Sequence, residues 1–402
     1  MLKFNKTKYY NAINILILIL CGFLVFSPIS SEISLKIFKL PLALPEAIFI
    51  PFYFYFRKKL DIRVSIKSFS IGLFLIIILL IISILVNNFR FTSILSTARG
   101  YLYLVLSFSV FKNKILKDVF FIFYISLGSV LGWILQSLLF FNNLVNNTLS
   151  NNDSMAISGN MIALGLVISI PIIFRKTKLI FISTTLGIVL SLTSGIRRQV
   201  LIFIVSLLLS FLLTIKLSYK NMFKTVILII LSTSFVLIMY PILDNYISGI
   251  SPAFHYRLFG KSEQLVNGDL SEGDVLRTKS IDHFYYTFWE NTFPRGFVSK
   301  RTMEDVGTGI YMDSPYIELF YTFGIILCLF FVIYILYSIY FHLKSYYIRG
   351  ITESGLCLVS IAIILALCFV EGSFLNYAYT TPFTGFVLSR ISSRKNLFVS
   401  QF

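Results

Sequence analysis

Charge is the first thing this chain has little of. Only 13% of its 402 residues are Asp, Glu, Lys or Arg, where a soluble globular protein carries about 25%. That shortfall excludes an ordinary soluble domain. Cysteine is also sparse. The four, Cys21, Cys328, Cys357 and Cys368, all lie inside apolar segments, so buried thiols are expected rather than a disulfide framework or a metal cluster. Several sequence signatures are absent: a phosphate-binding glycine loop, metal-ligand spacing, a Ser-His-Asp order and a dinucleotide fingerprint. No cofactor, metal or nucleotide is therefore called for.

What the chain does have is apolar length. Runs of about 18 residues or more recur from end to end, each long enough to cross a bilayer as a helix. They are continuous rather than alternating, which argues against a barrel. The reading is an all-α polytopic membrane protein with about twelve spans. These fall near 11–29, 38–56, 69–86, 91–111, 119–140, 156–174, 179–194, 199–217, 225–241, 315–338, 354–370 and 376–392. Prolines Pro41, Pro45 and Pro51 in the second span, and Pro382 in the last, predict kinks. The N-terminus could pass for a signal peptide, but no small-residue cleavage site follows, so an uncleaved first helix is expected.

The net charge of +17 sits in short clusters between apolar runs, which speaks against nucleic acid as a partner. Placing both termini in the cytoplasm puts 22 Lys and Arg in the inner connectors, from Lys3 through RKKLDIRVSIK (57–67) to the tail at Arg390. The short outer connectors keep only Lys36, Arg90, Arg197 and Arg198. That asymmetry sets the orientation. The expected location is the cytoplasmic (inner) membrane, surrounded by lipid.

One connector is long. The chain divides into an N-terminal bundle (1–241), an extracytoplasmic loop (242–314) and C-terminal spans with a tail (315–402). A connection of that length is usually functional or disordered. Here RTKSIDHFYYTFWENTF (277–293) puts Ile281, Phe284, Tyr285, Phe288 and Trp289 on one helical face, with Lys279, His283 and Glu290 opposite. An amphipathic helix is expected, lying on the membrane surface or over the bundle, with His283 in solvent.

Candidate functional residues are mostly arginines. Arg197 and Arg198 follow a tight Ser-Gly turn on the side where positive charge is usually avoided. They either snorkel to headgroups and cap the preceding helix, or form an anion site, since guanidinium presents forked donors to phosphate. Arg99 lies midway through an apolar span, where a charge costs at least about 2.5–3.5 kcal/mol. It either pairs with Glu46 or faces a cavity. Arg277 heads the loop helix and is either a surface charge or a further anion ligand. Arg257, Arg295, Lys300 and Arg301 are weaker candidates, because loops carry charge routinely. Asp313, in YMDSPYIELFYTFG, reads as a helix start, with Asp313 or Ser314 as N-cap and Pro315 in the first turn. A carboxylate there could also serve as a base.

These motifs, taken in order, resemble the O-antigen polymerase family, the repeat-unit polymerases of bacterial surface polysaccharides. The resemblance rests on three stretches. The first is the turn Ser194-Gly195-Ile196-Arg197. The second runs from Arg277 through Phe288-Trp289 to Pro294-Arg295-Gly296. The third is the re-entry from Asp313-Ser314-Pro315 to Gly324. Together they cover residues 150–340. The resemblance implies a polyprenyl-diphosphate-linked glycan as donor and a second lipid-linked unit as acceptor, joined without metal or nucleotide. It implies that Arg197, with Arg198, Arg277 and Arg99, binds the diphosphate, that Asp313 is the base, and that a flippase and a chain-length regulator are partners. The related O-antigen ligases typically carry a histidine where this chain has Asp313, which favours polymerase over ligase. A flippase or other transporter of lipid-linked glycans is the remaining alternative.

Overall fold

The computed structural model describes residues 12–29, 62–87, 90–112, 119–139, 159–194, 197–214, 245, 248–249, 279, 281–298, 315–370 and 380–392. Every long element among them is a helix. In chain order they are α1 (Ala12–Val25), α2 (Ile62–Val86), α3 (Phe91–Phe111), α4 (Val119–Leu139), α5 (Met161–Ile173), α6 (Thr177–Ser194), α7 (Arg197–Thr214), α8 (Pro315–Tyr347), α9 (Thr352–Val370) and α10 (Thr381–Ile391). Each matches one expected span to within a few residues, except that α2 starts earlier and α8 runs on to Tyr347 through the polar connector. Backbone hydrogen bonding does not stop where hydrocarbon stops. Among the described residues, four helices are long and apolar enough to cross a bilayer, Lys67–Val86, Phe91–Phe111, Val119–Leu139 and Pro315–Tyr347, and Ala12–Val25, Met161–Ile173, Thr177–Ser191, Arg198–Thr214 and Thr352–Cys368 are shorter apolar helices. This is a helical membrane protein. The expected spans 38–56 and 225–241 lie outside the described residues.

The bundle is built around α5. All thirteen of its residues are buried, which is what a helix apolar on every side requires. It is packed by α4, α6, α7, α9 and α10. Its first turn is fixed by Asn160, whose Oδ1 accepts from the Ala163 amide at 2.9 Å. Buried residues of α1 and α3–α7 share one core with those of α9 and α10.

Hydrophobicity cannot drive helix association where the solvent is itself lipid, so close approach of backbones matters more. Gly22 on α1 and Gly128 on α4 supply it. A Cβ at Gly22 would strike the Ile125 carbonyl, and one at Gly128 the Ile19 carbonyl. Gly132, four residues on, sits against Ser27, and Ser129 donates to the Phe26 carbonyl.

These contacts also give directions. Gly22 lies level with Ile125, and Ser27 with Gly132, so α1 and α4 are parallel. Lys112 donates to Ser68 at 3.0 Å and Gly72 meets Val105, so α2 and α3 are antiparallel. The C-terminal ends of α7 and α8 meet where Tyr346 donates to the Leu213 carbonyl. Their starts, Arg197 and Pro315, therefore share the other end of the bundle. Pro382 sits in the first turn of α10 rather than kinking a longer helix, which corrects the expected kink. Proline is well tolerated there because the missing amide would have had no intrahelical partner.

Candidate functional site

The loop returns to the bundle as a strap. Residues 281–286 are helical, a 3-10 turn follows at Trp289–Asn291, and the chain then extends through 294–298. Two glycines let it seat. Gly296 has φ +85 and lies so close to α2 that a Cβ would overlap Ser83 and the Leu79 carbonyl. Gly324 has φ 74 and ψ 158 inside α8, a region open essentially to glycine alone. A Cβ there would sit 2.6–2.8 Å from the backbone of Thr292, Phe293 and Pro294. The strap thus lies in the break that Gly324 makes.

Polar bonds hold it on both sides. The Arg295 amide donates to the Tyr321 carbonyl at 3.0 Å, and Asn87 donates to the Arg295 carbonyl at 2.6 Å. The Phe297 amide donates to Ser83 Oγ, which itself donates to the Leu79 carbonyl at 2.7 Å. Phe297 is fully buried between Ile76, Leu79, Ile94, Ala98 and Tyr101, its ring 5.3 Å from that of Tyr101. Beyond Gly324 the apolar run of α8 continues to Phe341. At 1.5 Å per residue that is about 26 Å, close to the hydrocarbon thickness of ~30 Å. The strap therefore sits at one membrane boundary.

Beneath it lies a polar cluster. Glu318 is 4% exposed, the one acidic side chain buried among the described residues. Tyr101 from α3 donates to its Oε1 at 3.4 Å. Thr322, one turn further along the same face of α8, is fully buried; its hydroxyl faces Tyr101 and has no hydrogen-bond partner of good geometry among the described residues. On the strap side, Thr287 donates to the His283 carbonyl at 2.8 Å. Its single proton being used, it must accept from the Tyr321 hydroxyl 3.1 Å away. Asn291 donates to the carbonyl and hydroxyl oxygens of Thr287 at 2.8 and 3.1 Å. Its own Oδ1 is buried without a partner among the described residues. Arg295 is held at 3.0 Å by Glu290 and lies 5.8 Å over the Tyr321 ring.

The expected residues fare as follows. Arg197 and Arg198 open α7, at the same end of the bundle as the strap. Arg198 is half-buried and Arg99 exposed. Arg99 lies two residues from Tyr101, about 160° around α3, so it points away from the cluster. Glu46, Arg277, Asp313, Ser314, Arg257, Lys300 and Arg301 lie outside the described residues. Pro315 is the first residue of α8. Phe284 packs on Phe320 and Tyr321, and Phe288 on Phe284, but Ile281, Tyr285 and Trp289 are exposed. His283, expected in solvent, is half-buried and stacked on Tyr321 at 6.4 Å. The α-helical stretch ends at Tyr286 and passes into the 3-10 turn at Trp289–Asn291.

Sequence reasoning missed Glu318, Thr322, Asn291 and Ser83. A lone acid in the first turn of a helix reads as a complement to the helix dipole, and buried hydroxyls in an apolar run carry no signal by themselves. Comparison of the chain with family models, curated proteins and solved structures gives no match.

Proposed function

We propose that this protein is an oligosaccharide repeat-unit polymerase, a glycosyltransferase of the O-antigen polymerase kind. In this reading it joins polyprenyl-diphosphate-linked repeat units at the outer face of the bacterial cytoplasmic membrane to make O-antigen or capsule. The observation that carries the reading is the seating of Pro294-Arg295-Gly296 on Gly324. Two of the three stretches behind the family resemblance are one structural unit, and the third, at Arg197, opens a helix at the same end of the bundle.

The chemistry suits such an end. A donor leaving as lipid diphosphate develops negative charge at the membrane surface, and fixed arginines stabilise it. Arg197 holds the diphosphate, with Arg198 and Arg277 as further ligands. Arg99, on the far side of α3, is the weakest of the four. A carboxylate at the outer end of α8 takes the proton of the attacking hydroxyl. Attack opposite the leaving group inverts the anomeric centre through an oxocarbenium-like state.

The test is genetic. The gene is deleted in its host and the surface polysaccharide resolved on a gel, with complementation by wild type and Arg197→Ala. Collapse of the ladder to one repeat unit, restored by wild type and not by the variant at equal protein level, is the expected result. Full-length chains left on the lipid carrier would instead mean a ligase. An unchanged ladder refutes the reading.

A further inference from the structure

We infer that Glu318 is the carboxylate that accepts the proton of the incoming sugar hydroxyl, and that Thr322 and Asn291 bind that sugar beside it. This rests on the polymerase reading above. Three observations meet at the seam between the strap and α8. Glu318 is buried with the Tyr101 hydroxyl, at 3.4 Å, its hydrogen-bond partner among the described residues. The Thr322 hydroxyl is fully buried beside Tyr101, on the same face one turn away, with no hydrogen-bond partner of good geometry among the described residues. Asn291, on the strap at the Gly324 break, has its side-chain Oδ1 buried with no partner among the described residues.

Buried polar groups are nearly always satisfied, so the unmet Thr322 hydroxyl one turn from Glu318 and the unmet Asn291 oxygen on the strap that packs on the same helix need an explanation. A ligand rich in hydroxyl groups supplies it. A sugar hydroxyl gives a proton to Asn291 Oδ1 and exchanges one with Thr322 Oγ1, while another points at Glu318. Tyr101 positions the carboxylate by donating to Oε1, leaving Oε2 for the substrate. For the sugar to enter, the strap must rise from α8. The bonds that hold it, from Arg295 to Tyr321, Asn87 to Arg295 and Phe297 to Ser83, are all hydrogen bonds that can reform.

The step balances. A lone pair of the acceptor oxygen forms a bond to the donor's anomeric carbon. The bond from that carbon to the diphosphate oxygen breaks, and its electron pair leaves with the polyprenyl diphosphate. The hydroxyl proton passes to Glu318, which later returns it to water.

The experiment uses the full-length protein in proteoliposomes, with a polyprenyl-diphosphate-linked repeat unit as both donor and acceptor. Glu318→Gln keeps shape and hydrogen bonding and removes only the basic site. It is expected to lower the turnover rate ~10²–10⁴-fold, with Glu318→Asp recovering part of it. A Glu318→Gln rate within threefold of wild type overturns the inference and leaves the polymerase reading standing. Wild-type protein that forms no glycosidic bond removes both. If Glu318→Gln does not fold, Thr322→Val decides the matter. A severalfold rise in KM for the lipid-linked repeat unit with kcat held supports the site, and an unchanged KM overturns it.

Discussion

Replacing Gly324 by alanine should straighten α8 and expel the strap. The cost of keeping the native geometry has two parts. Holding a non-glycine residue at φ 74, ψ 158 costs of order 1–3 kcal/mol. The new Cβ, 2.6–2.8 Å from the backbone of Thr292–Pro294, adds roughly 1–3 kcal/mol of overlap, as overpacking does elsewhere. Against this stand the three strap hydrogen bonds, each worth about 0.5–1.5 kcal/mol net. A straight helix also gains nearly 1 kcal/mol, because alanine favours helix over glycine by that amount. Burial of Phe297 adds about 1.5–3 kcal/mol to the strap's side, so the two sides nearly balance and the strap is released in a large share of molecules while the bundle stays intact. A cysteine at position 298, where Val298 is 3% exposed, reads the change. Its reaction with a membrane-impermeant maleimide should quicken at least tenfold in Gly324→Ala. The natural thiols give a low background, since three are buried and one half-buried. An unchanged labelling rate at normal protein level would refute the account of Gly324 as the seat of the strap.

Two further predictions concern the bundle. Gly128→Leu drives a side chain into the α1 backbone at Ile19, so little folded protein should survive detergent extraction, as read by size-exclusion chromatography, whereas Gly249→Leu, where nothing approaches, should be neutral. Asn160→Ala removes the cap of the central helix and should cost about 1 kcal/mol, seen as a lowered unfolding temperature in detergent by differential scanning fluorimetry; no shift would mean that Asn160 does not bear on that helix's stability.

Much of the scaffold was legible because length and continuity of apolar runs are strong signals. The span expected at 91–111 coincides with α3, and that at 119–140 differs from α4 by one residue. The site was less legible. The strap depends on pairs far apart in sequence, such as Ser83 with Phe297, and a single chain does not announce such pairs. Gly324 was visible as the end of a motif, but its conformation, and so its purpose as a gap for Pro294, was not. His283 was misjudged because Tyr321, the ring it stacks on, comes from a helix 38 residues later in the chain. Arg99 was singled out for its depth, yet it lies on the exposed side of α3, where depth alone says nothing of direction.

The strap also sets an order of assembly. Asn87 and Ser83 wait for partners 208 and 214 residues later in the chain. At synthesis rates of about 5–20 residues per second, that delay is roughly 10–40 s. Throughout it, α2 and α3 stand in the bilayer with Ser83, Asn87 and Tyr101 uncovered. The first helices must therefore be tolerated by the membrane in an unfinished form. The later half of the chain completes them from the side on which the strap emerges, and a nascent chain halted before residue 298 would leave that end of the bundle open.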